Sequence, residues 1–171
     1  MMLWPMSFSR TRTAALAHDA PPVPASLPAF ELQELWFATL RAEWASLAVV
    51  PAHAGGSAFE IARALAEAGS RHRGTPVRLV KADVNDLAQT AQFVDSLSRK
   101  SGGGSTRRGG EIIIAVDPVV ENPLGIAIAF AADAVLVTIE LGVTDLASAR
   151  KTIEMVGRER LLGCVVIDPA R

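Results

Sequence analysis

Short apolar runs alternate with amphipathic stretches along most of the chain after residue 29. The apolar runs predict strands at 46–51, 77–80, 112–116, 134–139 and 162–167. Helical periodicity between these runs predicts helices at 58–68, 87–98, 125–131 and 144–156. The strands are rich in Val, Ile and Leu with little alternation, which is typical of parallel strands covered by helices on both faces. The pattern therefore predicts an α/β domain with a doubly wound, mostly parallel sheet.

The segment before this alternation has a different character. Residues 1–29 hold half of the ten prolines, which remove backbone donors and restrict φ. We therefore predict a disordered, proline-rich tail over 1–29 and a folded domain over 30–171. The domain is predicted to open with a helix at 30–44. Apolar residues recur there at helical spacing and share one face: Leu32, Leu35, Trp36, Leu40 and Trp44.

The aromatic side chains of this first helix allow two interpretations. Trp36, Phe37 and Trp44 are candidate interface residues, because aromatic anchors contribute much of the energy of protein interfaces. The alternative is that Trp36 and Trp44 belong to the core and cover the sheet. The two interpretations differ in whether these side chains are exposed on the folded domain.

Composition and charge give no support for a nucleic-acid-binding or membrane-spanning protein. The chain has 171 residues, of which 20% are charged, and a formal net charge of −1, so nothing favours nucleic acid or an anionic membrane as a partner. The single cysteine, Cys164, lies in an apolar run and is predicted to be a small core residue. The longest uncharged stretch, 122–132, is too short to span a bilayer, and no secretory signal is evident. We predict a cytoplasmic location, with attachment to the inner membrane only through a partner.

The loop after the first predicted strand, at 52–58, has some features of a phosphate-binding loop. In such a loop, backbone N–H groups surround the phosphates, a lysine neutralises their charge, and a Ser or Thr hydroxyl holds Mg²⁺. The loop here follows a strand, precedes a helix and contains Gly55 and Gly56. His53 is predicted to face solvent in the turn, and Glu60 at the start of the helix would repel phosphate.

Over residues 34–168 the chain resembles the kinase domain of bacterial tyrosine autokinases, which belong to the MinD/ParA-like group of P-loop ATPases. The resemblance is carried by short motifs that lie in the same order as in the family. They are Thr39-Leu40-Arg41, Ala64-Leu65-Ala66, Ala132-Asp133-Ala134-Val135-Leu136-Val137 and Gly157-Arg158-Glu159-Arg160-Leu161-Leu162-Gly163. These motifs indicate the scaffold more than the chemistry, so the resemblance implies a P-loop NTPase fold of the MinD/ParA-like type.

The same resemblance implies that the nucleotide loop is degenerate. When Ala64-Leu65-Ala66 is matched to the family's N-L-A helix, the phosphate loop falls on residues 55–59. These are Gly55, Gly56, Ser57, Ala58 and Phe59. Ala58 then stands at the position of the family's lysine, and Phe59 stands at the position of the hydroxyl that would hold Mg²⁺.

Two further motifs of the family are altered as well. In the second motif, D-x-D-x-R, Lys81 replaces the first aspartate, Asp83 remains and Asn85 replaces the arginine. In the third, the Walker B motif D-x-x-P, Ala115 replaces the aspartate and Pro118 remains. Asp117 lies between these two positions and could stand in for the missing aspartate if the alignment admits a gap. The chain also contains no tyrosine, whereas the family phosphorylates a tyrosine-rich tail.

The resemblance therefore implies a catalytically inactive autokinase-like domain with no cofactor and no metal. Its implied role is that of an interaction or regulatory component in bacterial exopolysaccharide or capsule biosynthesis and export. Implied partners are the inner-membrane polysaccharide co-polymerase, an active autokinase, or a second copy of the chain. One alternative is a MinD/ParA-like ATPase with a rewired site, in which Asp117 and Lys81 take over lost functions. Another is an unrelated α/β protein that binds its ligand near Asp83 and Asp117.

Overall fold

The computed structural model describes residues 29–82, 86–101 and 111–168. The helices within these ranges are α1 (Ala29–Thr39), α2 (Phe59–Arg73), α3 (Leu87–Ser101), α4 (Leu124–Ala131) and α5 (Leu146–Val156). The strands are β1 (Ser46–Pro51), β2 (Arg78–Lys81), β3 (Ile112–Ala115), β4 (Ala134–Glu140) and β5 (Leu161–Ile167). The tail predicted over 1–29 lies outside the described residues except for Ala29, which begins α1.

The described strands form one sheet in the order β2-β3-β1-β4-β5, and every neighbouring pair is parallel. β1 lies in the middle, and its six residues are all buried. This arrangement confirms the predicted α/β class and the parallel sheet. It also places the carboxyl ends of all five strands at one edge of the sheet. Parallel α/β proteins carry their functional loops at this edge.

Helices cover both faces of the sheet. On one face, α1 and α2 pack over alternate strand residues such as Leu47 and Val49. On the other face, α3, α4 and α5 pack over Ala48, Val50 and Ile114. Successive residues of a strand point to opposite faces, so an unbroken apolar run supplies both cores. In the part of the chain that the structure describes, no helix has the length and apolarity needed to cross a membrane.

The first helix is shorter than predicted. α1 ends at Thr39 rather than at residue 44. The indole N–H of Trp44 donates to the carbonyl oxygen of Thr39 at 2.9 Å, and the Trp44 ring meets that of Trp36 edge-on with centroids 5.9 Å apart. Gly69 of α2 permits this packing, since a β-carbon there would lie 2.5 Å from the Trp36 ring.

Burial separates the three aromatic residues that were candidates for an interface. Trp36 is fully buried and Trp44 is 4% exposed, so the interface interpretation is wrong for both and the core interpretation holds. Phe37 is 54% exposed and packs edge-on against His72 of α2. Only Phe37 of the three is placed where it could meet another molecule.

Two of the four motifs that indicated the scaffold, those that begin at Ala132 and at Gly157, make contacts at the amino-terminal edge of the sheet. One Asp133 carboxylate oxygen accepts hydrogen bonds from the backbone N–H groups of Ala45 and Ser46 and from the Ser46 hydroxyl, at 2.8–2.9 Å. Arg160 donates to the carbonyl oxygen of Ala132 at 2.8 Å. These contacts join the starts of β1, β4 and β5, at the opposite edge of the sheet from the loop 52–58.

Cys164 departs from its predicted environment. Its side chain is exposed on β5 rather than buried in the core. Partial burial still raises the pKa of the thiol, because desolvation disfavours the thiolate. The apolar run was correctly assigned to a strand, but a strand at the end of the sheet order does not bury every residue.

Candidate functional site

The loop 52–58 lies between β1 and α2 at the carboxyl-terminal edge of the sheet. The neighbouring strand β3 leads into α4, which covers the opposite face from α2. Such a crevice, where connections from adjacent strands leave to opposite faces, is where doubly wound proteins bind ligands. The loop 52–58 is therefore the natural candidate site.

A carboxylate from the same chain occupies a backbone donor of this loop. Gly55, at a left-handed φ of 73°, donates its N–H to Oε2 of Glu121 at 2.9 Å. Glu121 reaches the loop through a turn in which its own N–H and that of Asn122 donate to the carbonyl oxygen of Pro118, both at 3.0 Å. Pro118 is buried at the base of this turn. The sequence analysis did not identify Glu121 as a residue of the site.

His53 connects the loop to the segment after β4. Its Nδ1 lies 2.9 Å from the Thr144 hydroxyl, and its Nε2 lies 3.7 Å from a Glu140 carboxylate oxygen. The Thr144 hydroxyl also accepts the N–H of Glu140 at 2.9 Å. The prediction that His53 faces solvent is therefore wrong, because its ring is half-buried and bonded across the crevice.

Gly56 shows how closely this ring packs on the loop. A β-carbon at Gly56 would lie 2.9 Å from Cε1 of His53 and 2.9 Å from the β-carbon of Pro51. The Gly56 N–H donates to the carbonyl oxygen of His53 at 3.3 Å, closing a turn. Gly56 is thus required by local packing within the loop.

The end of the loop carries apolar groups at the two positions for which the family resemblance implies a lysine and a hydroxyl. Ala58 is 2% exposed, and Phe59 is half-buried against the core formed with α1 and α2. Ser57 is exposed, and its hydroxyl accepts the N–H of Phe59 at 3.3 Å. Glu60 pairs with Arg63 at 2.6 Å on the solvent side of α2.

The second and third motifs lie on the strands beside the loop. Lys81, the last residue of β2, is exposed and pairs in register with the buried Ala115 of β3. β3 separates Lys81 from β1, so Lys81 does not belong to the loop 52–58. Asp117 follows β3 and is half-buried. Asp83 and Asn85 lie outside the described residues.

Across residues 29–82, 86–101 and 111–168, no three His, Cys, Asp or Glu side chains are grouped so that they could hold a metal ion. The acidic groups nearest the loop are instead engaged individually, Glu121 with Gly55 and Glu140 beside His53.

Comparison with known proteins relates this chain to others through its fold. No family model matches the sequence, and no curated protein matches it. Among solved structures it is similar to the chimerical protein CapA2B2, with a TM-score of 0.57 and 16% identity over 89% of this chain and 88% of that one. It is also similar to the BceF tyrosine kinase domain, with a TM-score of 0.55 and 16% identity over 82% and 76% of the two chains. The chain therefore shares the fold of the BceF tyrosine kinase domain.

Proposed function

We propose that this chain is a catalytically inactive, tyrosine-autokinase-like domain. In this proposal it acts as an interaction or regulatory component of bacterial exopolysaccharide or capsule biosynthesis and export. The proposal rests on the likeness to the BceF tyrosine kinase domain in fold, and on the state of the loop 52–58. Its partner would be the inner-membrane polysaccharide co-polymerase, an active autokinase, or a second copy of the chain.

The observation that carries the proposal is the hydrogen bond from Gly55 to Glu121. A phosphate loop binds its anion through backbone N–H groups, and here such a group already donates to a carboxylate of the same chain. To bind the Gly55 N–H, a nucleotide phosphate would have to displace the Glu121 carboxylate. The phosphate would then lie close to the negative charge of that displaced carboxylate. Like charges this close repel each other, and at this exposed loop water screens part of that repulsion.

The residues at the end of the loop give the second line of support. A lysine at residue 58 would balance the γ-phosphate charge and a hydroxyl at residue 59 would hold Mg²⁺, whereas Ala58 and Phe59 pack into the core. The loss of one such contact commonly removes about 3–4 kcal/mol of transition-state stabilisation. In our proposal the joint loss leaves the scaffold available for binding other proteins, without phosphoryl transfer.

The outer side of α1 is the surface that we assign to the partner. Phe30, Phe37 and Leu40 are exposed to 68%, 54% and 39% respectively, and we call these three residues the α1 patch. Phe30 and Phe37 lie two helical turns apart and so share a side of α1. Aromatic residues at this density commonly act as anchors in interfaces.

A pull-down from the native cell tests the role of the α1 patch. We expect the tagged full chain to capture a polysaccharide co-polymerase or an autokinase, and Phe37→Ala to reduce the capture at least tenfold. Phe130→Ala is the matched control, because Phe130 is 44% exposed on α4, on the other face of the sheet. Equal capture by both variants would reject the α1 patch as the partner surface. Capture of neither class of protein, together with no self-association of the chain, would reject the proposed role.

A further inference from the structure

A second concave site lies on the opposite side of β3 from the loop 52–58. It is a cleft of about 490 Å³ at the carboxyl end of β2, bounded by α3 and α4. This volume falls within the ~300–1,000 Å³ typical of pockets for small molecules. The cleft shares no lining residue with the loop and does not depend on the function proposed above.

The inner part of the cleft is apolar. Val80 of β2, Phe93 of α3 and Ile128 of α4 line it together. Ile128 is buried in the core, whereas Val80 and Phe93 are each half-buried, so part of their apolar surface remains uncovered. An aromatic or other apolar group of a ligand would remove that surface from water, with a gain of roughly 25 cal/mol per Å².

The rim of the cleft is polar and carries one positive charge. Lys81 is exposed there, and within the described part of the chain no ion pair engages it. Gln89 and Gln92 lie three residues apart on α3, line the same cleft, and each offers an amide donor. The described lining contains no Asp or Glu. An ammonium group flanked by amide donors is suited to an anion.

From this combination we propose that the cleft binds a small organic anion, a carboxylate or a phosphate monoester, that carries an aromatic ring. The anionic group contacts Lys81 and the two glutamines at the rim. The ring enters the cleft between Val80, Phe93 and Ile128. Lys81, which the family resemblance presents only as a lost aspartate, becomes the specificity-determining residue of a different site.

Titration of the full-length, isotope-labelled chain with phenyl phosphate and, separately, with benzoate tests this proposal by NMR. Amide shifts should concentrate at the lining residues of α3 and at the end of β2. Benzyl alcohol, which has the ring without the charge, and inorganic phosphate, which has the charge without the ring, should bind at least about tenfold more weakly. The tighter of the two aromatic anions identifies the preferred acidic group.

Two variants of cleft residues test whether the aromatic anion binds specifically in this cleft. Lys81→Gln should weaken the aromatic anion about tenfold, and Gln92→Glu should weaken it similarly by repulsion. Both positions are exposed, so the fold should persist. Lys151→Gln, at an exposed lysine on α5, should leave the affinity within about twofold and serves as the control. Shifts dispersed over the surface, or equal affinity of wild type and Lys81→Gln, would overturn the proposal.

Discussion

The two ends of β1 are both held by a carboxylate that accepts hydrogen bonds from the backbone, but they differ in depth and number of contacts. At the amino end, Asp133 accepts three bonds around Ser46 in a partly buried setting. At the carboxyl end, Glu121 accepts a single, exposed bond from Gly55. The contacts at the amino end are therefore structural. The carboxyl end has one exposed carboxylate contact, beside the contacts of His53, at a loop position where doubly wound folds commonly bind a ligand.

This difference matches what the family resemblance implies for the two edges. Asp133 and Arg160 lie in motifs that carry the resemblance, and both make structural contacts at the amino edge. The positions at which the resemblance implies altered residues, among them Ala58, Lys81 and Ala115, lie near the carboxyl ends of β1, β2 and β3. In the function that we propose, the sheet is kept while the chemistry of the carboxyl edge is lost.

The largest effect is expected beside the amino end of β1, at Trp44. Trp44→Ala should cost about 3–5 kcal/mol of unfolding free energy, because it empties a buried site and leaves the Thr39 carbonyl without the indole donor. Chemical denaturation measures the change. Phe37→Ala is the matched control on the exposed side of α1 and should cost less than about 1 kcal/mol. Equal losses for the two variants would show that burial does not distinguish these rings.

A somewhat smaller loss is expected from the carboxylate at the same end. Asp133→Ala should lower the unfolding free energy by about 3 kcal/mol, since hydrogen bonds to a charged group contribute roughly 1.5–3 kcal/mol each and are not additive. Asp95→Ala, at an exposed aspartate of α3, controls for the loss of charge. If Asp133→Ala lost less than about 1 kcal/mol of unfolding free energy, Asp133 would contribute no more to stability than the exposed contact of Glu121.

A structural feature could be predicted from the sequence when the residues that form it lie close together along the chain. The strands were placed within one or two residues, because an unbroken apolar run between polar segments is a local signal. Trp44 was an interface candidate with the core as the alternative, and it was assigned to the helix, whereas it is buried and lies beyond the helix end. Periodicity reports which side chains are buried, and it does not report that the backbone has turned at Thr39 so that Trp44 folds back onto it.

The carboxyl edge was less predictable for the same reason. The bond between Gly55 and Glu121 spans 66 residues, and the contact of His53 with Thr144 spans 91. Each depends on the parallel neighbours β1, β3 and β4 bringing their following loops together. The sequence signal that could have indicated Glu121 is Pro118, since a proline soon after a strand favours a turn, and Glu121 lies in that turn. The cleft at Lys81 also arises only when α3 and α4 pack together.

The smallest stability effect is expected at the carboxyl end of β1. Glu121→Ala should change the unfolding free energy by less than about 1 kcal/mol, because the single bond is exposed to water. Its local effect should be clear, since the amide proton of Gly55 loses its acceptor and should exchange faster with solvent. Glu67→Ala on α2 is the control and should leave that exchange rate unchanged. Unaltered exchange in Glu121→Ala would mean that the carboxylate does not hold the loop in solution.

Calorimetric titration with MgATP tests the proposed loss of nucleotide binding most directly. Because Glu121 engages Gly55 and because Ala58 and Phe59 supply neither charge nor metal ligand, we expect a dissociation constant of about 1 mM or weaker, roughly −4 kcal/mol. Glu121→Ala should gain no more than about tenfold, since it frees one donor and restores neither lysine nor hydroxyl. A micromolar dissociation constant for the wild-type chain would contradict the account and would favour a rewired MinD/ParA-like ATPase instead.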